Sequence, residues 1–305
     1  MQLIDHQIRL QLPAYWPRAL QPEALNRMDH PTPFLVCDLE TVRERYANLT
    51  AALPGVSCYY AVKCNPELEL LAAFDQLGSS FEVASWAELQ MLQKLGVDPE
   101  RVLYSNTVKP AAHIAESWSA GLWRYAFDSE GELYKLAQHA PGAAVYVRLR
   151  VDDSTSLFPL SRKFGAEAQE ARALMLLARS LGLRPYGVTF HVGSQCTTTT
   201  AWRQAIAAVG RLLSRLSGDG ITLEMLNLGG GFPAATSRTC RRSTRSPTPS
   251  SRPCTSCSPT GLSCWPSSQG ASWWPRARCW SAGSLAGRSG RARTGPIWTS
   301  APTTA

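Results

Sequence analysis

Between Pro31 and Pro233, short runs rich in β-branched and aromatic residues alternate with helix-length amphipathic stretches, and nothing else in the chain limits its fold as strongly. The runs are FLVCDL from 34, VSCYYAV from 56, SSFEVAS from 79, VLYSN from 102, YAFDS from 125, VYVRLRV from 145, YGVTFHV from 186 and LEMLNLG from 223. Strands separated by helix-length segments imply parallel βαβ units. The intervening helices carry start and stop signals. Ser85 with Glu88 in SWAELQMLQKLG predicts a capping box, and Gly96 and Gly182 predict helix ends. Both a (β/α) barrel and a doubly wound sheet satisfy this order. Polar residues recur just after the strands, where barrel sites are built, and this favours the barrel.

Composition divides the chain in two. Its 305 residues carry a formal net charge of +8, which by itself would suggest nucleic acid or an acidic surface as partner. Residues 235–305, however, hold 10 Arg and no Lys, His, Asp or Glu, so residues 1–234 carry −2. The basic character belongs to the tail, and neither a nucleic-acid partner nor a membrane is expected; no apolar run reaches the roughly 18 residues of a membrane span. Cys37, Cys58, Cys64 and Cys196 are scattered through the first part without a signal peptide, as in a reduced cytoplasmic protein. In the tail, CTSC at Cys254 to Cys257 has the C-x-x-C spacing, but no second pair at ligand spacing accompanies it, so no metal site is assigned.

Three strand ends carry candidate chemistry. In YYAVKCNP, Lys63 follows an almost wholly apolar strand; partial desolvation there would lower its pKa and free the amine to form a Schiff base. FHVGSQ supplies His191, Gly193 and Ser194, and LGGGFP supplies Gly229, Gly230 and Gly231. Glycines directly after a strand allow close backbone approach, so that N–H groups can cradle a phosphate. A Schiff-base lysine with a phosphate cradle suggests pyridoxal 5'-phosphate, with His191 as a flat surface against the ring. Singly, each feature has an ordinary explanation: a solvated strand end, a turn, a core histidine. Their joint occurrence on three strands of one α/β pattern is what carries weight.

YYAVKCNP, FEVAS, SRKFG, FHVGSQ and NLGGGFP, in this order and spacing, resemble the group of pyridoxal-phosphate decarboxylases that includes eukaryotic-type ornithine decarboxylase and diaminopimelate decarboxylase. The resemblance covers about residues 31–234. It implies a (β/α)8 barrel of the alanine-racemase type followed by a β-domain, and a head-to-tail homodimer. It further implies Lys63 as the Schiff-base lysine, His191 stacked on the cofactor ring, and Ser194 with Gly229, Gly230 and Gly231 at the phosphate. Arg150 and Glu82 would lie beneath the cofactor and Lys163 near the dimer interface; Glu82 stands where ornithine decarboxylases more often carry Asp. The implied activity is decarboxylation of a basic amino acid, L-ornithine to putrescine first. Diaminopimelate, lysine or arginine decarboxylation, or a non-catalytic regulatory homologue, are the alternatives.

In this reading VSCYYAV is the first barrel strand and FLVCDL belongs with the second domain, which leaves seven barrel strands and an eighth missing. Residues 1–30 form an N-terminal extension and residues 235–305 a tail with no independent fold. The family's eighth strand should carry Glu-Pro-Gly-Arg, and the tail does not. A reading frame starting on the third base of each codon permits EPGRFLVAE across Ser267 to Arg276 and LDVGAYNG across Ile297 to Ala305, both expected family motifs. The tail is therefore read as out of frame after about Ala234, with the β-domain garbled and the chain as it stands inactive, its barrel edges unpaired.

Overall fold

The computed structural model describes residues 36–160, 163–233 and 279–281. Seven parallel strands from the organised part build a barrel wall: β1 (Ser57–Ala61), β2 (Ser80–Val83), β3 (Val102–Tyr104), β4 (Arg124–Phe127), β5 (Ala144–Arg148), β7 (Arg184–Thr189) and β9 (Met225–Asn227). Each coincides with one of the runs expected from VSCYYAV to LEMLNLG. Two further short strands, β6 (Ser156–Phe158) and β8 (Ser194–Cys196), pair antiparallel with each other outside the wall.

The helices are α1 (Leu39–Ala52), α2 (Leu68–Gln76), α3 (Trp86–Lys94), α4 (Ala111–Ser119), α5 (Glu130–His139), α6 (Ala168–Ser180) and α7 (Thr199–Gly218). Their ends follow the local chemistry. Ser85 caps α3 by accepting from the Glu88 N–H at 3.3 Å, while the Glu88 carboxylate reaches back one residue further than the simplest capping box, to the Ala84 N–H at 2.8 Å. Gly96 and Gly182 take left-handed φ of 74° and 77° after α3 and α6, as stop glycines do. Of FLVCDL, residues 34 and 35 lie outside the described residues; Val36 to Asp38 are not strand, and Asp38 caps α1 through Glu40 N–H.

Strand alternation sorts the core into two layers. Tyr60, Phe81, Val102, Tyr125, Val145 and Val188 face the helices, and Tyr59, Leu103, Ala126, Tyr146 and Met225 fill the barrel interior. Successive Tyr59 and Tyr60 thus serve different layers. β7 and β9 approach so closely that a Cβ on Gly187 would lie 2.7 Å from the Met225 carbonyl oxygen.

The expected family motif of the eighth strand is not found among the described residues, and the expectation of unpaired edges needs correction. Three tail residues, β10 (Cys279–Ser281), lie parallel between β1 and β9 and close the barrel in the order β1-β10-β9-β7-β5-β4-β3-β2. The physical reason is the unmet hydrogen-bonding capacity of the two edges, which any extended segment can satisfy through its backbone. β10 meets β1 over Ser57 to Tyr59, but β9 only at Asn227. The N-terminal extension, the CTSC pair and both shifted-frame motifs lie outside the described residues. Among the described residues no helix is long and apolar enough to cross a membrane.

Candidate active site

The C-terminal ends of the strands converge on one mouth. β1 runs into a single 3-10 turn, Val62–Cys64, which lifts Lys63 out of the wall. Lys63 is exposed there rather than part-buried as expected, because the strand stops at Ala61 and the residue falls on the turn. Its charge still reaches two neighbours, His191 and Glu88.

His191 follows β7. Its Nδ1 accepts a 3.0 Å hydrogen bond from the Gly193 N–H, which fixes the neutral tautomer with its proton on Nε2. Burial lowers the His191 pKa to about 3, with Arg148 and Lys63 adding to the effect and Asp153 opposing it. The ring is therefore a neutral flat surface throughout the physiological range.

Glu82, on β2, has a buried Oε2 with no hydrogen-bond partner among the described residues. An orphaned carboxylate oxygen at a barrel mouth marks a place where a ligand's donor belongs. Close by is Arg148, the last residue of β5. Burial holds its guanidinium below the usual arginine range, against the opposing charges of Asp128, Glu82 and Asp153, and it stacks over Phe164 at 5.1 Å.

Arg150, expected beneath the cofactor, is not brought into this group. It is exposed and pairs with Glu167 at 3.2 Å. The interior parity Tyr146, Arg148, Arg150 holds only while the strand lasts; past Arg148 the backbone turns to bond Ala166, with Arg150 N–H donating to Ala166 O at 2.9 Å. Counting two residues on from Tyr146 within VYVRLRV would have selected Arg148. Lys163 lies exposed at the start of the turn that leads to Gly165.

The glycine loop after β9 is locked to the loop after β7. Gly229 and Gly231 take φ of 67° and 101°, and a Cβ on them would lie 2.0 Å from the Phe190 carbonyl oxygen and 2.2 Å from that of Gly193. Cys196 N–H donates to Gly231 O at 2.8 Å, and Gly229 N–H is committed to Asn227 Oδ1 at 2.8 Å. These two glycines thus first permit backbone-to-backbone packing of two site loops. Gly230, between them, is buried, and Ser194 is half-buried.

The arrangement fits pyridoxal phosphate. It offers an exposed amine for an aldehyde, a neutral imidazole face, a buried carboxylate lacking a donor, an arginine, and two glycine-built loops for a phosphate. The sequence model of the family "Pyridoxal-dependent decarboxylase, pyridoxal binding domain" matches residues 39–246, and the chain belongs to this family. The lysine/ornithine decarboxylase of Selenomonas ruminantium is 40% identical over 203 residues, covering 67% of this chain and 52% of that protein. Antizyme inhibitor 2 of Xenopus laevis is 38% identical over 200 residues, covering 66% of this chain and 44% of its own length. Among solved structures, SrLDC in complex with PLP and cadaverine superposes with a TM-score of 0.66 at 37% identity, over 70% of this chain and 55% of that one. The chain spans about half the length of the curated relatives it matches.

Proposed function

We propose that this chain is the cofactor barrel of a pyridoxal-phosphate-dependent decarboxylase of basic amino acids, with L-ornithine, giving putrescine, as first substrate. The convergence of Lys63, Glu82, Arg148 and His191 on one mouth carries the reading. When bound, pyridoxal phosphate supplies the electron sink for the pair left behind by departing CO2. Lys63 would provide the amine that holds the cofactor's aldehyde. His191 would present its neutral face to the ring, and it keeps a donor on Nε2 because Nδ1 is occupied. Ser194 with the loop of Gly229, Gly230 and Gly231 would hold the phosphate, Gly229 by shaping the loop, since its own N–H is given to Asn227. Glu82 accepts a hydrogen bond from beneath, and Arg148 takes the place first assigned to Arg150.

The reading extends to the rest of the protein. The frame-corrected protein would supply an eighth strand with Glu-Pro-Gly-Arg, a β-domain and a second subunit, and the tail after about Ala234 is out of frame, which makes the present chain inactive. Sequencing the encoding DNA tests the frame: a shifted continuation interrupted by stops or lacking both motifs defeats it. Assay of the frame-corrected protein against ornithine, lysine, arginine and diaminopimelate tests activity and substrate together; no CO2 release from any of the four overturns the decarboxylase reading.

A non-catalytic regulatory role is the second reading, supported by the likeness to an antizyme inhibitor. Retention of Lys63 and the glycine loop favours the enzyme. Visible absorbance of lysine-bound pyridoxal phosphate, lost in Lys63→Ala, separates the two.

A further inference from the structure

Asp128 follows directly on β4, and its Oδ2 accepts a 2.8 Å hydrogen bond from the Gly165 N–H across 37 residues of sequence. Gly165 sits where only glycine fits. Its φ is +97°, and a Cβ would lie 2.9 Å from the Arg150 backbone nitrogen and 3.1 Å from its Cα. The turn is also stitched to the end of β5 on both sides, by Ala166 N–H to Arg148 O at 2.8 Å and Arg150 N–H to Ala166 O at 2.9 Å. Directly before Gly165, Phe164 places its ring under the Arg148 guanidinium at 5.1 Å. The same Asp128 carboxylate is the foremost of the negative charges acting on Arg148.

We propose that Asp128 is a positioning residue for the site: by latching Gly165 N–H it seats Phe164 beneath Arg148 and so holds that guanidinium in the barrel mouth beside Glu82 and His191. The latch joins the end of one strand to the loop after the next, so it acts on the site without touching the ligand. Two neighbouring βα units become one rigid rim. Its consequence for pyridoxal phosphate rests on the proposed function; the latch itself does not.

Hydrogen exchange of the full chain, read on the fragment covering residues 163–166, tests the latch. Asp128→Ala removes the acceptor, and exchange at Gly165 should rise by about tenfold or more. Asp128→Asn keeps a carbonyl oxygen in place, and Gly165 should stay within about threefold of the parent. A fragment of α7 reports on global folding. Should Asp128→Ala lose protection there too, the decision passes to Asp128→Ser, whose hydroxyl is too short to reach: selectively faster exchange at Gly165 supports the latch, and unchanged exchange overturns it. Titration with pyridoxal phosphate, followed by tryptophan quenching, gives the consequence. Asp128→Ala and Phe164→Leu should each weaken binding about tenfold, while Asp128→Asn stays closer to the parent. Equal affinity in all four forms would overturn the positioning role. If the parent itself binds no pyridoxal phosphate, the proposed function fails, and the exchange result still decides the latch.

Discussion

His191 and Gly193 are tied by a hydrogen bond that runs opposite to the usual sense for a site histidine: the backbone N–H of Gly193 donates to Nδ1 of His191 at 3.0 Å. A protonated imidazole has no acceptor to offer, so the bond exists only with the neutral ring. Burial and the nearby Arg148 and Lys63 cations push in the same direction.

The pH dependence of stability follows. His191 has a folded pKa of about 3, against about 6.5 in an unfolded chain, so between these values the unfolded state binds the extra proton. Stability therefore rises with pH across this window, and the contribution is lost progressively as pH falls from about 6.5 towards 3. Urea midpoints measured from pH 7 to pH 4 should fall for the parent and fall less steeply for His191→Gln. Parallel curves would contradict the neutral ring.

Gly193 itself should tolerate no side chain. A left-handed alanine costs roughly 1–2 kcal/mol, and here its Cβ would also lie 2.0 Å from Ser156 Oγ and 2.5 Å from Ser156 Cβ. Ser156 cannot move aside without losing its 2.8 Å bond to the Asp153 carbonyl. Gly193→Ala is thus expected to lower the urea midpoint clearly. Gly210→Ala, inside α7 with nothing within 4 Å of the added Cβ, should raise stability by up to about 1 kcal/mol.

Much of this was readable from the chain. The seven wall strands lie in β-branched and aromatic runs, and their separation by helix-length segments leaves few other topologies. Lys63, His191 and the glycines stand at strand ends, so their gathering at one mouth follows from parallel order alone. What sequence could not supply depends on where regular structure stops. Arg150 has the right parity but lies past the strand, where the chain turns to meet Ala166. Lys63 is lifted out by one 3-10 turn that no pattern announces. Asp128 and Gly165 meet across 37 residues of sequence, and Asp128 by type alone reads as an ordinary surface residue. The place of Cys279–Ser281 between β1 and β9 is set by two open edges and carries no signature of its own.

Exchange of roles between Arg148 and Arg150 makes a direct comparison. Arg148 is the foremost charge lowering the His191 pKa, whereas Arg150 is engaged with Glu167 on the exposed side. Arg148→Met should move the His191 titration upward in an NMR experiment and weaken pyridoxal phosphate binding by about tenfold, the worth of about 1.4 kcal/mol. Arg150→Met should leave both near the parent values, since an exposed pair of this kind contributes little. The reverse ranking would restore Arg150 to the site.

Behind the rim, Lys109 is fully buried and pairs with Glu132 at 2.8 Å, and Lys135 approaches the same carboxylate at 2.6 Å. The Lys109 ammonium also donates to the carbonyls of Asn106 at 2.8 Å and Ala126 at 2.6 Å, tying the ends of β3 and β4 together. Burial lowers its pKa to about 8, with Glu132 opposing the shift. Glu132→Gln leaves a buried cation without its partner and should cost about 3–5 kcal/mol at pH 7. Because Glu132 holds the folded Lys109 pKa up to about 8, the variant sheds this buried proton at lower pH than the parent, and the loss should shrink as pH rises towards about 8 and level off above it. Urea unfolding of both forms at pH 7 and pH 9.5 checks this. Replacing the pair together, Lys109→Met with Glu132→Leu, should recover most of the stability, since an apolar pair avoids the stranded charge. A double variant as unstable as Glu132→Gln would show instead that the ammonium's bonds to Asn106 and Ala126 hold this corner of the barrel.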